Sequence, residues 1–179
     1  FINAIKPNAP VIWNQARDNI TVDDEKGNIS MCKEAFDNAA HIIKLETFNQ
    51  RVTGVPMKPR AALANFEARE NIYYLEAGSQ GANRFQNELA ATFGISRNKI
   101  RVVSNDVGGG YGTRNHTYPE FALCLWAAKK TGHPVKWVCN RSEAFLSDYS
   151  GRDLLTKAEL AIDDSGNFLA LKTENLANI

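Results

Sequence analysis

The apolar positions of this chain change period several times, and each change marks an element. Phe85, Leu89 and Phe93 recur every four residues, with Ala90 beside them. That is the spacing of one helical face, and Gly94 ends it. Phe121, Ala122, Leu125 and Ala128 trace a second such face. Lys129 and Lys130 fall in its last turn, Gly132 stops it and Pro134 confirms the stop. At its start, Thr117 and Glu120 stand three residues apart with Pro119 between them, the pattern of a capping box with proline in the first turn. Elsewhere the runs are shorter. Ile72-Tyr73-Tyr74-Leu75 and Ile100-Arg101-Val102-Val103 are rich in β-branched and aromatic residues and read as strands.

Carried along the chain, the same reading predicts a short helix from Cys32 to Ala39 capped by Ser30, then strands at about 41–48, 61–67 and 71–76. A helix at 82–93, a strand at 99–104, a helix at 118–131 and a strand at 135–139 follow. A short helix begins at Ser142, and two strands, about 154–163 and 168–176, flank the turn Asp163-Asp164-Ser165-Gly166-Asn167. The expected class is α/β of the mixed α+β kind, a single domain with helices packed on a mixed β-sheet. Residues 1–29 are rich in Asn, Asp and Pro and are expected to be an extended connecting arm, with the domain spanning 30–179. No internal repeat or low-complexity segment is visible.

Between the strand near 100 and the helix near 118 lies Val107-Gly108-Gly109-Gly110-Tyr111-Gly112-Thr113-Arg114, in which four of eight residues are glycine. So bare a backbone can approach a ligand closely, and its N–H groups suit an anion. The common glycine motifs fail. A dinucleotide fingerprint begun at Gly108 or Gly110 needs glycine or alanine where Thr113 or Asn115 stands. A P-loop begun at Gly108 needs its second glycine at Thr113 and lysine at Arg114. A plain surface turn is the alternative.

A second strand-to-helix junction lies upstream, at Ala77-Gly78-Ser79-Gln80-Gly81. If the two strands are neighbours in one sheet, both loops line one crevice, as ligand sites of open α/β sheets do. Ala77-x-Ser79-x-Gly81 is one residue from the G-x-S-x-G nucleophile elbow. A serine hydrolase on Ser79 would take Asp106 and His116, or His133, as its downstream partners. Against this stands the usual work of such a serine, capping a helix. A non-catalytic anion-binding module built on the glycine loop is a third reading.

Composition removes some classes. The chain has 179 residues, 44% of them hydrophobic, and a net charge of +1, which suits one ordinary globular core and carries no nucleic-acid signature. Arg97, Lys99 and Arg101 are too few to change that, and they read as a solvated turn and strand edge. Cys32, Cys124 and Cys139 are widely spaced with no C-x-x-C, so they read as free thiols, Cys124 as helix packing. His41, His116 and His133 offer no triplet for direct metal binding. There is no 18-residue apolar run and no signal peptide, so a cytoplasmic protein is expected, with a leader on a parent chain left open. The start at Phe1 without methionine, and an end inside the expected strand Leu176-Ala177-Asn178-Ile179, suggest an excised domain.

Taken in order, several segments resemble one family. Gly78-Ser79-Gln80-Gly81 followed by Val107 to Gly112 is similar to the Ser/Thr-Gln segment and G-G-G-F-G loop of the molybdenum hydroxylases, the xanthine oxidase, aldehyde oxidase and aerobic carbon monoxide dehydrogenase group. Asn49-Gln50-Arg51 and Met57-Lys58-Pro59-Arg60 resemble the N-Q-R and M-E-P-R segments of the large subunits of bacterial members. Tyr118-Pro119-Glu120, Gly132-His133-Pro134-Val135-Lys136-Trp137, Arg141-x-Glu143 and Gly151-Arg152-Asp153 fit as well, so the resemblance covers roughly residues 30–179.

The resemblance implies roles. Gln80 takes the place of a glutamine that hydrogen-bonds an oxygen ligand of the molybdenum. Gly109, Gly110, Tyr111 and Gly112 take the places of loop residues whose amides approach the cofactor, and Tyr111, in place of phenylalanine, would shape the substrate side. Arg114 stands where a cation would meet an anionic pterin phosphate; a solvated surface charge is the alternative. Lys58 replaces a glutamate and inverts a local charge. Asn115 falls where purine-oxidising members carry a glutamate, so a dedicated xanthine dehydrogenase is not expected. The implied protein oxidises an aldehyde, an N-heterocycle or carbon monoxide with water-derived oxygen. Its molybdopterin, expected in the cytosine dinucleotide form, holds the molybdenum, and no residue here binds the metal directly. Iron–sulfur and FAD partners, and the remainder of the large subunit, are implied too, while no nucleic acid or membrane span is. The family's catalytic glutamate lies far downstream, so no catalytic residue is expected here, and the isolated segment is expected to be inactive and cofactor-free.

Overall fold

The computed structural model describes residues 1–16 and 18–178. After a 3-10 turn at Ile2–Ile5, the elements begin with helix α1 (Ile29–Asp37) and strands β1 (His41–Asn49), β2 (Val52–Thr53), β3 (Ala61–Glu67) and β4 (Ile72–Ala77). Helix α2 (Ala82–Phe93), strand β5 (Ile100–Val103), helix α3 (Pro119–Thr131) and strand β6 (Val135–Val138) follow. Helix α4 (Arg141–Ser147) and strands β7 (Ser150–Gly151), β8 (Leu154–Ile162) and β9 (Phe168–Ala177) complete the order. The class is the expected mixed α/β. Contacts gather into two compact units, Val52–Gly151 and the pair of segments Phe1–Arg51 with Arg152–Ile179.

The Val52–Gly151 unit contains the glycine loop. Its main sheet runs β5-β4-β3-β6, with β4 and β5 parallel and the other pairs antiparallel, and β2 pairs separately with β7. Alternation sorts the two faces of the sheet. Ala62 and Ala64 of β3, Tyr73, Leu75 and Ala77 of β4 and Ile100 of β5 are buried, while Leu63 and Val103 point the other way and are exposed. Onto the buried face pack Phe85 and Leu89 of α2 and Phe121, Leu125 and Ala128 of α3. Burying one such large side chain contributes about 1.5–3 kcal/mol. Both helices end on glycine in the left-handed region, Gly94 at φ 63° and Gly132 at φ 69°, as the periodicity predicts.

Three expected caps are replaced. Asn28, not Ser30, caps α1, its side chain accepting from the Met31 amide. Tyr118 occupies the N-cap of α3 with no side-chain cap bond. Thr117 and Glu120, the expected box, are drawn to other partners: Glu88 takes both Thr117 donors and Arg60 takes Glu120. Gly81, not Ser79, is the N-cap of α2. A complete capping box does form at Asn140 and Glu143 of α4, where none was anticipated.

In the other unit, β1, β8 and β9 form an antiparallel sheet, and α1 packs against β9. The β8–β9 turn is the expected one, with Asp163 Oδ1 accepting from the Ser165 and Asn167 amides at 2.9 Å each. Within residues 1–29 the described structure is the 3-10 turn, a bridge between Trp13 and Ala16 and the start of α1. Ile179 lies outside the described residues.

Phe85 is fully buried and 5.5 Å from the Phe121 ring, centre to centre. Phe85→Ala is expected to lower stability by about 3–5 kcal/mol. Leu123→Ala, on the exposed side of α3, is expected to cost under about 0.5 kcal/mol. Urea titrations of both variants check the difference.

Candidate functional site

Because β4 and β5 are parallel neighbours, their C-terminal ends lie together, and so do the loops that leave them. A serine ties the two together: Ser104 Oγ, just past β5, accepts from the Ser79 amide at 2.9 Å. Both strand-to-helix junctions singled out in the sequence therefore meet at one edge of the sheet.

Gln80 is the centre of that meeting. Its backbone N–H donates to the Arg114 carbonyl at 2.9 Å. Its side-chain Oε1 accepts from the Gly112 amide at 2.9 Å and the Arg114 amide at 3.2 Å. Three bonds from one residue thus join the two loops. With Oε1 committed as acceptor, the other end of the amide, Nε2, is the donor that remains, and it has no acceptor among the described residues. A Cβ at Gly110 would lie 2.5 Å from Gln80 Cδ, so a side chain there would displace the Gln80 amide from this position. The amides of Gly108, Gly109, Gly110 and Tyr111 donate to no described acceptor, and of these residues Gly110 lies against the Gln80 side chain.

The other expected site residues separate into two kinds. Tyr111 stays on the surface, 76% exposed, and holds a left-handed φ of 50°. Asn115 is also exposed, and its backbone N–H closes a turn onto Gly112. Arg114 differs from both its readings, for its side chain is only 3% exposed. Its Nη2 donates to the Lys58 carbonyl at 3.0 Å, and Nη1 lies 3.4 Å from Thr113 Oγ1 and 3.5 Å from Asp148 Oδ2. What Arg114 offers to the loop face is its backbone. Lys58, the inverted charge, reaches the Asp106 carbonyl at 3.1 Å.

Behind the loop lies a buried charge network that the sequence reading missed. Asp148 joins Arg60 through Oδ1 and Arg114 through Oδ2. Arg60, fully buried, also donates to Glu120 Oε1 at 3.2 Å and Ser147 Oγ at 2.8 Å, and its guanidinium sits 3.8 Å from the centre of the Tyr118 ring. Tyr118 in turn donates to the Thr113 carbonyl at 2.7 Å and accepts from the Tyr149 amide. Burial pushes the Tyr118 phenol up from its ordinary value, which keeps it protonated as a donor. The sequence signal was the exact place of Arg60, in a segment already matched by resemblance. Nothing local marked Asp148 as its partner.

The hydrolase reading finds no support in the geometry. Ser79 Oγ accepts from the Gly81 amide at 2.9 Å, a two-residue turn. His116 lies against Arg84, at 2.8 Å, and Tyr149, while the described contact of Asp106 is its carbonyl with Lys58. Burial raises the Cys124 and Cys139 thiols, so neither is a ready nucleophile. No metal-ligating cluster of His, Cys, Asp or Glu occurs among the described residues, and no helix there is long and apolar enough to cross a membrane. A concavity of about 400 Å³ borders Tyr74, Gln86 and Ile100 and contains none of the site residues.

Residues 12–179 match the family described as the molybdopterin cofactor-binding domain. The chain is 30% identical over 145 residues to the gamma subunit of the 6-hydroxypseudooxynicotine dehydrogenase complex of Paenarthrobacter nicotinovorans, covering 80% of this chain and 18% of that protein. It is 26% identical to the carbon monoxide dehydrogenase large chain of Hydrogenophaga pseudoflava, covering 99% of this chain and 24% of that one. Among solved structures, quinoline 2-oxidoreductase from Pseudomonas putida 86 superposes with a TM-score of 0.75 at 29% identity, over 81% of this chain and 18% of that one. Reconstituted carbon monoxide dehydrogenase from Oligotropha carboxidovorans gives a TM-score of 0.87 at 24% identity, over 98% and 23%, a likeness of fold. The chain thus spans about a fifth of the length of these relatives.

Glu88 fastens the exit of the glycine loop to α2. Burial alone would raise its carboxyl, but hydrogen bonds from Arg84 and from the Thr117 amide and hydroxyl outweigh it and hold the pKa at about 2, against an ordinary 4.5. A depressed carboxylate contributes its stability fully above 4.5 and loses it as pH falls toward 2. Glu88→Gln is therefore expected to flatten that part of the acid limb and to lower stability at neutral pH. Stability measured against pH for both proteins is the check.

Proposed function

The chain belongs to the molybdopterin cofactor-binding domain family, and from that membership we propose that it is part of the large subunit of a molybdenum hydroxylase. The observation that carries the reading is a set of donors without described acceptors: Gln80 Nε2 and four successive amides, Gly108 to Tyr111, of the loop that Gln80 holds. Such a set fits an anionic, oxygen-rich group. The pterin-held molybdenum supplies two-electron oxidation of the substrate when it is bound. The chain's own residues bind and orient. Gln80 donates from Nε2, and Gly109, Gly110, Tyr111 and Gly112 present the backbone that lines the group. Arg114 contributes by holding Gln80 through its backbone, since its guanidinium is occupied by protein partners.

Tyr111 and Asn115 border the substrate. The exposed ring of Tyr111 supplies an apolar wall with a polar tip, and Asn115 offers a neutral donor and acceptor. The catalytic base comes from outside this chain. The substrate is an aldehyde, a non-purine N-heterocycle or carbon monoxide; relatives named for nicotine, aldehyde and carbon monoxide chemistry support this range. The cofactor takes the cytosine dinucleotide form, in keeping with the bacterial resemblance. Iron–sulfur and FAD subunits carry the electrons away, a reading supported by relatives named as one subunit of a complex. A cytoplasmic location accords with three free cysteines.

Gln80→Ala in the full-length subunit is expected to fold and to lose about 10–100-fold in oxidation rate, the usual cost of removing a group that tunes a metal site. Ser79→Ala removes one turn bond and is expected to cost about 1 kcal/mol of stability with little loss of rate. Steady-state rates for both, per bound molybdenum, decide: a dead Ser79→Ala beside an active Gln80→Ala would reverse the assignment.

Asn115 cannot serve as a charged acceptor for a purine ring N–H, and an ionised acceptor binds roughly twice as strongly as a neutral one. The full-length enzyme is expected to prefer another substrate class to xanthine and hypoxanthine. A substrate panel ranked by kcat/KM is the measurement, and a purine at its head would refute the expectation.

A further inference from the structure

Gln80 can present Nε2 in one direction only if Oε1 stays where the Gly112 and Arg114 amides hold it. Arg114 is gripped from the far side. Its side chain turns inward to Asp148, Thr113 and the Lys58 carbonyl, while its backbone N–H and C=O both face Gln80. One residue is thus anchored in a buried network and bonded twice to the residue that faces the ligand. Asp148 fixes the anchor in turn: its side chain is 2% exposed, it lies at the C-cap of α4, and Arg60 holds its second oxygen.

We propose that Asp148 and Arg114 are positioning residues for Gln80, acting through the 112–114 backbone; this rests on the reading of Gln80 as a donor to the molybdenum group. The two guanidiniums share one carboxylate, so shifting Asp148 moves the Arg114 side chain and the two backbone groups attached to it. Burial makes the coupling stiff. Neither charge has water to fall back on, so the network has one arrangement in which all its charges are paired. Thr113 reinforces it locally, since its hydroxyl donates to the Gly110 carbonyl at 2.8 Å and its own carbonyl accepts from Tyr118.

The test uses the full-length subunit in its complex, with Arg114→Lys and Asp148→Asn, and Gln80→Ala as reference. Arg114→Lys keeps the charge but has no fork with which to reach both Asp148 and the Lys58 carbonyl. Two quantities are read on folded protein: kcat and KM per bound molybdenum, and hydrogen exchange at the Gly112 and Arg114 amides. The expected result is exchange at those amides at least about tenfold faster and kcat lower by about 10–100-fold, with KM little changed. If Asp148→Asn yields no folded protein, Arg114→Lys decides by the same two readings. A lower melting temperature with wild-type kcat and wild-type exchange overturns the proposal, since that is all a merely structural pair would do. A Gln80→Ala enzyme with wild-type kcat overturns it at its premise, whereas slow exchange in Arg114→Lys overturns it at the linkage.

Discussion

Parallel pairing of β4 with β5 is the constraint on which the site depends. Tyr73 to Glu76 lie in register with Ile100 to Val103, so the chain leaves both strands at the same edge. An antiparallel pair would put the two loops at opposite ends of the sheet. The parallel arrangement needs a crossover, and α2 supplies it, anchored by Phe85 and Leu89 in the core. Small residues on the sheet face, Ala62, Ala64 and Ala77, let the helices lie close. Packing thus sets the distance between the loops, and Gln80 then spans it with three hydrogen bonds.

The buried charges need a separate explanation, because they are not an obvious source of stability. Arg60, Arg114, Asp148 and Glu120 balance to zero net charge, yet Arg60 Nε and Glu120 Oε2 have no partner in the network. Taking such groups from water costs several kcal/mol per ion, and apolar residues of similar volume often do as well or better. What an apolar substitute would lack is direction. A shared carboxylate holds two guanidiniums at set angles, and one of those guanidiniums belongs to a residue of the ligand-facing loop. Breaking one member is expensive, at about 3–5 kcal/mol, which keeps the arrangement single.

The misplaced caps show how local rules yield to tertiary partners. Thr117 and Glu120 have the spacing of a capping box, and in isolation each has only the helix end to bond. In the fold, Thr117 meets Glu88 of α2 and Glu120 meets Arg60, and a charged partner makes the stronger bond. At Asn140 and Glu143 no such competitor is present among the described residues, and the local box forms. Ser79 lies between these cases: its hydroxyl does accept a backbone N–H, two residues on, in a turn that precedes the helix.

The sequence by itself determined the elements and the chemical character of the loop. Apolar spacing placed α2 and α3 with their glycine ends, and the β-branched runs placed β4 and β5, because burial of one face imposes a period that any reader can count. The glycine content of residues 108–112 announced close backbone approach, and Gly110 against Gln80 is such an approach. Only the tertiary structure decided which way Arg114 points. An arginine beside a glycine loop has the same sequence whether its fork faces a ligand, water or the core. The answer came from Asp148, far along the chain at the end of another helix. Long-range charge pairing leaves no periodic trace, so it enters only when the chain has folded.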